Sequence, residues 1–329
     1  MKVVITGGAG FLGRRLLNAL CERGTLAGPD GQATPIDTLV VFDAVTPSPP
    51  LPKDARLTVV TGDITDRAAL KQVIDPRTTS VFHFAAVVSA AAEADFDLGM
   101  RVNLHGTLAV LDACRALPQA PRLVFTSSVA TFGGALPDTV DDTTPQTPQS
   151  SYGTQKAIGE LFVNDYTRKG FIDGRAIRLP TIVVRPGKPN RAASSFASSI
   201  IREPLSRLDT VCPVSRDTRL AILSPRQAVA AFLLAHDLPG AEWGHSRSLN
   251  VPGLSVTVAD MVAALQRVAG EGPLQHLHWQ PEADIQRIIS SWPGAFTSAR
   301  ARRLGFRADA SMDDIIQAFM EDDLPAATT

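Results

Sequence analysis

The sequence lacks the features that mark nucleic-acid-binding, membrane-spanning and disulfide-bonded proteins. Its 32 lysine and arginine residues balance 33 aspartate and glutamate residues, so the formal net charge is −1 and no nucleic-acid partner is expected. The cysteines are few, odd in number and scattered, which favours small buried side chains over a disulfide framework or a metal site; they are Cys21, Cys114 and Cys212. No apolar run approaches the length of a membrane span, and no apolar signal core stands at the start. These absences predict a cytoplasmic protein without a membrane partner.

What the sequence does contain is an alternation of short apolar runs with longer amphipathic stretches. With 329 residues, 44% of them hydrophobic, it can bury a substantial core in one large domain or two unequal ones. The predicted strands are Val3–Thr6, Leu39–Asp43, Leu57–Thr61, Val81–Phe84, Leu123–Ser127 and Ala176–Leu179. The predicted helices include Phe11–Cys21, Asp66–Val73, Val102–Leu117, Tyr152–Lys169, Ala259–Ala269 and Met312–Met320. This alternation predicts an α/β fold, in which a doubly wound parallel sheet carries helices on both faces.

The first strand runs directly into a glycine-rich turn, Gly7-Gly-Ala-Gly-Phe-Leu-Gly13, which opens the first helix. Gly7 permits a tight turn, Gly10 allows a phosphate to approach the backbone, and Gly13 allows the helix to pack closely on the strand. The helix begins at Phe11 and Leu12, so free amide groups and the positive end of the helix dipole meet at one point. The turn therefore predicts a site for the pyrophosphate of a dinucleotide.

The composition changes after Pro186, where proline, serine and arginine become denser. Residues 1–186 are predicted to form the dinucleotide-binding domain. Residues 187–329 are predicted to form mainly a smaller C-terminal substrate-binding cap, with segments that return to the first domain. The segment Thr25–Pro35, rich in glycine, proline and polar residues, is predicted to be a surface loop.

An acidic residue, Asp43, ends the second predicted strand. A carboxylate at this place can accept hydrogen bonds from the adenosine ribose hydroxyls and would repel a 2′-phosphate, which favours NAD over NADP as cofactor. Asp43 lies 36 residues after Gly7, more than the usual spacing of about 20 residues, and the Thr25–Pro35 segment accounts for the excess. The alternative is a strand-end aspartate that caps a turn.

Two further strand ends carry residues suited to the same cofactor. Asp63 and Ile64 follow the third predicted strand, where Asp63 can meet the adenine amino group. Ala85 and Ala86 follow the fourth strand, and their small side chains allow a cofactor to lie flat against the sheet edge. Taken alone, both places are ordinary strand-to-helix turns.

Tyr152 and Lys156 give the strongest catalytic signal. Residues four apart lie on the same face of a helix, so the Lys156 ammonium and the positive nicotinamide ring of NAD can together stabilise the Tyr152 phenolate and make the phenol a base. The preceding strand ends in two hydroxyls, Ser127 and Ser128, suited to holding a carbonyl or carbinol oxygen. The alternative is a helix N-terminus at which these residue types occur incidentally.

Together these motifs resemble the extended short-chain dehydrogenase/reductase family, and the resemblance covers essentially the whole chain. It implies the Rossmann form of the doubly wound sheet and a Ser–Tyr–Lys catalytic set. The family pattern places the catalytic hydroxyl five residues before a glycine, here Gly133, which selects Ser128 and leaves Ser127 as the adjacent alternative. Asn103 matches an asparagine that supports the active-site geometry, although it is also an ordinary residue for a helix start. The stretch from Pro180 to Ile182 is expected to border the nicotinamide.

The resemblance further implies NAD-dependent oxidation of a small sugar acid at a hydroxyl group. A carboxylate substrate requires a cation in the pocket, for which Arg185 is the first candidate and Arg219 the second, although arginines near a cap commonly tie loops to the sheet. The hydroxyls of the substrate would meet polar side chains, the candidates being Ser89, Thr181, Asn190 and Ser194.

A homodimer is also implied, because family members pair two helices equivalent to Val102–Leu117 and Tyr152–Lys169 across a two-fold axis. The apolar side chains available for this interface, which are equally suited to covering the sheet, are Leu108, Leu111, Leu161 and Phe162. Three other functions remain open at this point. One is a nucleotide-sugar epimerase or dehydratase on the same fold, another is a dehydrogenase for a different small hydroxy or amino acid such as threonine, and the last is a non-catalytic NAD-sensing regulator.

Overall fold

The computed structural model describes residues 1–187 and 193–324. The strands are β1 (Lys2–Thr6), β2 (Thr25–Ala27), β3 (Ala33–Pro35), β4 (Thr38–Asp43), β5 (Leu57–Thr61), β6 (Thr78–His83), β7 (Arg122–Ser128), β8 (Asp173–Leu179), β9 (Thr181–Ile182), β10 (Thr210–Cys212), β11 (Arg219–Leu223), β12 (Ser248–Asn250), β13 (Leu254–Thr257) and β14 (Leu277–Trp279). The α-helices are α1 (Phe11–Arg23), α2 (Arg67–Val73), α3 (Ser89–Ala94), α4 (Phe96–Gly99), α5 (Thr107–Arg115), α6 (Ser151–Arg168), α7 (Phe196–Leu205), α8 (Pro225–Asp237), α9 (Val258–Ala269), α10 (Ala283–Ser290), α11 (Ala299–Arg303) and α12 (Met312–Asp322). A π-helix, Met100–Gly106, connects α4 to α5.

Seven strands form the main sheet in the order β12-β8-β7-β6-β1-β4-β5. The pairs β5–β4, β4–β1, β1–β6 and β6–β7 are parallel. Numbered within this sheet alone, the order from β5 to β8 is 3-2-1-4-5-6, which is that of the Rossmann fold. The doubly wound α/β prediction is therefore confirmed. In such a sheet the ligand site lies beyond the carboxyl ends of the strands, where the order reverses between β1 and β6.

The chain divides into two compact units. The first comprises Met1–Thr131, Ser150–Arg178 and Val229–Leu249, and the second comprises Phe132–Gln149, Leu179–Ala228 and Asn250–Thr329. The core of the first unit consists of apolar side chains from the sheet and from α2, α5 and α6, among them Val4, Phe42, Val81, Leu111, Phe125 and Val163. The division predicted at residue 186 stays a prediction.

The second unit has its own small sheets and core. Strands β13, β11 and β9 form one sheet, and β10 pairs with β14 in another. Its core gathers apolar residues of α7, α9, α10 and α12, among them Ile200, Met261, Leu265, Ile289, Ile316 and Phe319. The short patterns after residue 186 therefore build a packed core, because each amphipathic helix needs another apolar face to cover its own.

The segment Thr25–Pro35 differs from its prediction as a surface loop. Its two ends form the antiparallel pair β2–β3, and Leu26 is fully buried. Both glycines and one of the two prolines of this segment lie in the tip of the hairpin, Gly28–Gln32, whereas Pro35 lies in β3. The Asp237 carboxylate accepts a hydrogen bond from the Ala27 amide at 2.9 Å, which ties the hairpin to α8. Of the three cysteines expected to be buried, Cys114 and Cys212 are buried and Cys21 is partly exposed.

Two histidines of the first unit are buried in their neutral form. His236 is held between Ser80 (Nε2 to Oγ, 2.8 Å) and Asp237 (Nδ1 to Oδ1, 3.0 Å), and His83 lies between Thr6 and Thr107. Burial is the main cause that lowers the pKa of His83 to about 3 and that of His236 to about 4.

Because both histidines are buried in the neutral form, we expect the protein to lose stability in weak acid. Below pH 6.5 the unfolded chain binds protons at both positions and the folded protein does not, so the free energy of unfolding falls as the pH falls. Each histidine contributes a slope of about 1.4 kcal/mol per pH unit, His236 down to about pH 4 and His83 down to about pH 3. Urea unfolding of His236→Gln between pH 4 and 6 should show a slope smaller than that of the parent protein by this amount. Equal slopes would contradict the assignment.

Candidate active site

The glycine-rich turn joins β1 to α1 in a conformation that side chains would block. Gly7 has φ +70°, and a Cβ at this position would lie 2.5 Å from the Ala85 amide nitrogen. A Cβ at Gly13 would lie 2.4 Å from the Gly7 carbonyl oxygen. Both glycines are therefore required by close backbone approach, as the motif predicts.

The N-terminus of α1 has the properties of an anion site. Gly10 is its N-cap residue and supplies no side-chain hydrogen bond, and the first turn contains no acidic residue. The backbone amides that follow Gly10, beginning with Phe11 and Leu12, are thus left for an external acceptor at the positive end of a 13-residue helix. These features, together with the space left by the missing Cβ atoms, fit the pyrophosphate of a dinucleotide.

Asp43 lies at the carboxyl end of β4, beside this turn. Its Oδ2 accepts a hydrogen bond from the Ala9 amide at 2.9 Å, and its Oδ1 accepts one from the Val45 amide at 3.3 Å. The carboxylate therefore both stabilises the glycine turn and presents a negative charge next to it. Its predicted contact with the ribose stays a prediction that this position supports.

The remaining cofactor candidates of the first unit lie at the same edge of the sheet. The Asp63 carboxylate accepts bonds from the Thr65 amide (2.9 Å) and from Arg101 Nη1 (2.7 Å), and about half of its side chain stays exposed. Ile64 is buried under the π-helix, where a Cβ at Gly106 would lie 2.6 Å from it. Ala85, by its approach to Gly7, and the adjacent Ala86 continue β6 at the ligand edge, and both are partly exposed.

Helix α6 carries the catalytic candidates and is capped by polar groups. Ser150 is the N-cap, and its Oγ accepts a bond from the Gly153 amide at 3.1 Å. Glu93 on α3 accepts a bond from the Ser151 amide at 2.8 Å. A carboxylate at a helix N-terminus is stabilised by the helix dipole. The two caps fix the first turn, in which Tyr152 lies.

The structure brings Tyr152, Lys156 and Ser128 together. The Ser128 hydroxyl interacts with the Tyr152 phenol, which favours the phenolate. The Lys156 ammonium lies 5.6 Å from the centre of the Tyr152 ring and donates to the Thr126 carbonyl oxygen at 2.8 Å. This arrangement places a hydroxyl, a phenol and a cation at one point on the ligand edge.

The protein groups around Tyr152 do not by themselves produce the low phenol pKa that a base at neutral pH requires. Burial raises the pKa of the Tyr152 phenol to about 12, although its hydrogen bond with Ser128 works in the opposite direction. The Lys156 ammonium is bonded to a backbone carbonyl and not to the phenol oxygen, so the lysine by itself does not bring the pKa of the phenol down to neutrality. Burial also lowers the pKa of Lys156 to about 8. The phenol therefore needs a further positive charge before it can act as a base at neutral pH.

The two hydroxyls at the end of β7 have different partners. Ser127 is 1% exposed and donates a hydrogen bond to the Glu160 carboxylate on α6. Ser127 was a candidate for the substrate and for the reacting oxygen, but its hydroxyl is enclosed and already bonded. The structure therefore favours Ser128, whose hydroxyl meets Tyr152.

Asn103 lies at the centre of the π-helix and is 2% exposed. Its Oδ1 accepts a bond from the Val87 amide at 2.7 Å, and its Nδ2 donates to the Val87 carbonyl at 3.0 Å and to Gln155 Oε1 at 2.8 Å. It is not an ordinary helix-start asparagine, because it joins the chain after β6 to the catalytic helix. Its predicted supporting role agrees with these bonds.

A buried chain of hydrogen bonds continues from Asn103 toward the glycine turn. Thr107 Oγ1 donates to the Asn103 carbonyl oxygen at 2.6 Å, so it accepts from His83 Nε2 at 3.0 Å. His83 Nδ1 then accepts from Thr6 Oγ1 at 2.6 Å, one residue before Gly7. The polar chain fixes the His83 tautomer and links the residue before the turn to the π-helix.

The second unit contains the other candidates. Pro180 is buried, and Thr181 and Ile182 form β9, which pairs with β11. The Arg185 amide donates to Ser198 Oγ at 3.1 Å, and its carbonyl oxygen accepts from Arg202. Of the remaining candidates for substrate binding, Ser194 is partly exposed and Arg219 is exposed. Asn190 lies outside the described residues.

The Arg185 guanidinium is mostly buried, and among the described residues no carboxylate pairs with it. Burial is the main cause that lowers its pKa, and the positive charge of Arg202 adds to the effect. A cation in such surroundings is stabilised by an anionic ligand.

Several polar residues of the first unit are connected to the catalytic set although no sequence pattern predicted them. They include Gln155, Glu160, Arg178 and His83. Glu160 follows Lys156 by four residues, and this spacing alone could have suggested that it lies near the ammonium. No local pattern marks Arg178 or His83, since their partners are distant in sequence.

Over residues 1–187 and 193–324, no group of three or more histidine, cysteine or acidic side chains is arranged to hold a metal ion. In the same ranges no helix has the length and apolar composition needed to cross a membrane.

Comparison with known proteins places this site in a family. The chain is 56% identical over 322 residues to the D-erythronate dehydrogenase of Cupriavidus necator, covering 98% of each chain. It is 45% identical to the D-erythronate dehydrogenase of Haemophilus influenzae, covering 98% of this chain and all of that one. A crystal structure described as the nucleoside-diphosphate-sugar epimerase from Agrobacterium tumefaciens superposes with a TM-score of 0.92 at 41% identity, covering 98% of this chain and 94% of that one.

The family profile agrees with the motifs. Residues 3–245 match the NAD dependent epimerase/dehydratase family, which is the extended short-chain group that the motifs resemble. The match confirms NAD as the cofactor, and the glycine turn and the N-terminus of α1 fit it. The chain belongs to the NAD-dependent epimerase/dehydratase family.

Proposed function

We propose that this protein is an NAD-dependent dehydrogenase that oxidises D-erythronate at its C2 hydroxyl to the 2-oxo acid. The observation that carries the proposal is the joined set of Ser128, Tyr152 and Lys156 in a chain 56% identical to a D-erythronate dehydrogenase. A non-catalytic regulator would not require this set to be complete.

In the proposed reaction the residues bind, orient and move a proton. Ser128 donates a hydrogen bond to the oxygen that reacts, and Tyr152 Oη removes the proton of the C2 hydroxyl. Lys156 supplies positive charge beside the Tyr152 ring, which favours the phenolate. NAD, when bound, accepts the hydride. Because the pKa of Tyr152 is raised by burial, the phenol would act as the base only beside the additional positive charge that bound NAD would supply.

We further propose that Arg185 binds the substrate carboxylate. Its guanidinium is mostly buried and has no carboxylate partner among the described residues, whereas Arg219 is exposed to solvent. A guanidinium binds a carboxylate through two parallel hydrogen bonds, which fixes the orientation of the acid as well as its position. Thr181 and Ser89 stay candidates for the remaining hydroxyls.

Replacing Arg185 with methionine is expected to raise the KM for the acid about 10²-fold, because two charge-assisted hydrogen bonds are lost at a cost of about 3 kcal/mol. NAD affinity should stay unchanged. Steady-state kinetics of Arg185→Met and of the matched variant Arg219→Met measure the effect. A larger loss in Arg219→Met would move the carboxylate site to that residue.

The substrate is tested by NADH formation from NAD with a panel of four-carbon sugar acids, threonine and UDP-sugars. Accumulation of NADH with D-erythronate supports the proposal. Interconversion of UDP-sugars without net NADH would instead assign the epimerase activity named for the Agrobacterium tumefaciens structure. NADH formation with threonine alone would assign a different acid.

A homodimer and a cytoplasmic location are part of the proposal. Of the apolar side chains considered for the interface, Leu161 is 66% exposed on α6, whereas Leu111 is 1% exposed and covers the sheet. Leu108 and Phe162 are partly exposed, and Phe162 packs on the core. Leu161 is thus the side chain best placed for a second subunit. Sedimentation of the parent protein and of Leu161→Glu tests this.

A further inference from the structure

Three successive residues at the end of strand β7 interact with helix α6. The Thr126 carbonyl oxygen accepts from Lys156 Nζ at 2.8 Å, the Ser127 hydroxyl donates to Glu160, and the Ser128 hydroxyl meets Tyr152. The three partners on α6 are spaced four residues apart, so they form one stripe along the helix. Tyr152 and Lys156 have roles in the proposed reaction, and Glu160, the third, has none so far.

Glu160 is a buried carboxylate in a dense set of hydrogen bonds. Its side chain is 2% exposed, and Arg178 on β8 binds it through both arms, from Nε to Oε1 at 2.9 Å and from Nη2 to Oε2 at 2.6 Å. A carboxylate taken out of water is costly unless it is paired and hydrogen-bonded, and here Arg178 and Ser127 satisfy it. The charge of Glu160 is therefore fixed in place.

Glu160 lies one helical turn from Lys156, which is 3% exposed. The other charged or titratable groups of the first unit that face Lys156 and Tyr152 do not supply a second negative charge near the ammonium. His83 on β6 is neutral, Arg178 is positive, and Glu93 on α3 is bonded to the helix N-terminus. Burial disfavours the ammonium form of Lys156, and the Glu160 carboxylate counteracts that effect.

We propose that Glu160 is a positioning residue for the reaction. Its carboxylate, held by Arg178 and Ser127, keeps Lys156 in the ammonium form and holds the hydroxyl-bearing end of β7 in register with α6. The inference rests on the function proposed for Tyr152 and Lys156. The proposal gives the two adjacent serines different roles. Ser128 faces the reacting oxygen, and Ser127 donates a hydrogen bond to Glu160, which keeps Lys156 protonated.

The test measures the titration of Lys156 directly, without cofactor or substrate. The protein has only six lysines, so 13C-labelled lysine gives a simple NMR spectrum, and the Lys156 signal is the one missing from Lys156→Met. In the parent protein this signal should titrate near pH 8. In Glu160→Gln the amide still accepts a hydrogen bond from Ser127 but carries no charge, so the midpoint should move about one pH unit lower.

Three further variants separate charge from packing. Glu160→Asp keeps the charge and should keep the midpoint near that of the parent, whereas Arg178→Met leaves Glu160 without its cation and should raise the midpoint. In the double variant Glu160→Gln, Arg178→Met both charges are absent, so the midpoint should lie between those of the two single variants. If Arg178→Met does not fold, Glu160→Gln and the double variant still decide the question.

An unmoved Lys156 midpoint in folded Glu160→Gln would overturn the inference and reduce Glu160 to a packing residue. Because the titration needs no turnover, this failure is distinct from failure of the proposed function. Inactivity of the parent protein on D-erythronate together with a lowered midpoint in Glu160→Gln would reject the substrate and support the inference. The pH dependence of kcat in Glu160→Gln should shift in the same direction as the Lys156 midpoint.

Discussion

Replacing Tyr152 with phenylalanine is expected to reduce turnover about 10³-fold, because the variant lacks the oxygen that takes the substrate proton. The ring itself remains, so the packing beside the Lys156 ammonium is preserved. NAD affinity should change less than about threefold, since the glycine turn and Asp43 are untouched. Steady-state turnover and the quenching of tryptophan fluorescence by NAD measure the two quantities.

The chain offers a matched control, because its second tyrosine is Tyr166 on the same helix. Its hydroxyl donates to Asp112 Oδ1 at 2.8 Å, away from the catalytic set. Tyr166→Phe should lose about 1 kcal/mol of stability and keep its turnover. If Tyr152→Phe retains near-normal turnover, the phenol is not the base and the proposed reaction is wrong.

Replacing Asp43 with asparagine is expected to weaken the preference for NAD over NADP by up to about 10³-fold. A carboxylate about 4 Å from a 2′-phosphate at an effective dielectric near 20 costs about 4 kcal/mol, or about three decades of affinity. The asparagine oxygen can still accept from the Ala9 amide, so the glycine turn should keep its shape. The ratio of kcat/KM for the two cofactors measures the effect.

Asp37 provides the control for this experiment, because it precedes the same strand at its other end. Its carboxylate pairs with the N-terminal amine at 2.6 Å and is 76% exposed. Asp37→Asn should leave the cofactor preference unchanged. An unchanged preference in Asp43→Asn as well would show that Asp43 stabilises the turn without meeting the ribose.

The fold and the polar centre of the site could be predicted because they are encoded in short local patterns. Gly7 and Gly13 stand at a strand–helix junction, and Tyr152 and Lys156 share a helix face at a spacing of four residues. Only a family pattern selected Ser128 over Ser127 as the catalytic hydroxyl, and the structure gives the physical reason for that choice. The Ser127 hydroxyl donates a hydrogen bond to Glu160, whereas the Ser128 hydroxyl interacts with Tyr152.

The other features of the site depend on contacts between residues that are distant in sequence, and no local pattern predicts such contacts. Glu160 meets Arg178 from a strand 18 residues later, and Asn103 meets Gln155 across 52 residues. The sequence predicts that Lys156 and the positive nicotinamide ring together lower the pKa of Tyr152. Burial raises the pKa of the phenol, and the Lys156 ammonium is bonded to the Thr126 carbonyl oxygen; neither the burial nor this bond can be inferred from the spacing of the two residues.

The hairpin β2–β3 contains the extra residues between Gly7 and Asp43, and it leaves Asp43 at the carboxyl end of β4, beside the cofactor site. It comes before the start of β4, whereas Asp43 is at the end of that strand, about 20 Å farther along. Residues 29–32 of its tip are exposed, and a Cβ at Gly31 would meet nothing within 4 Å. A linker attached at this tip would anchor the enzyme to an electrode or a sensor surface with the cofactor edge facing away from the support.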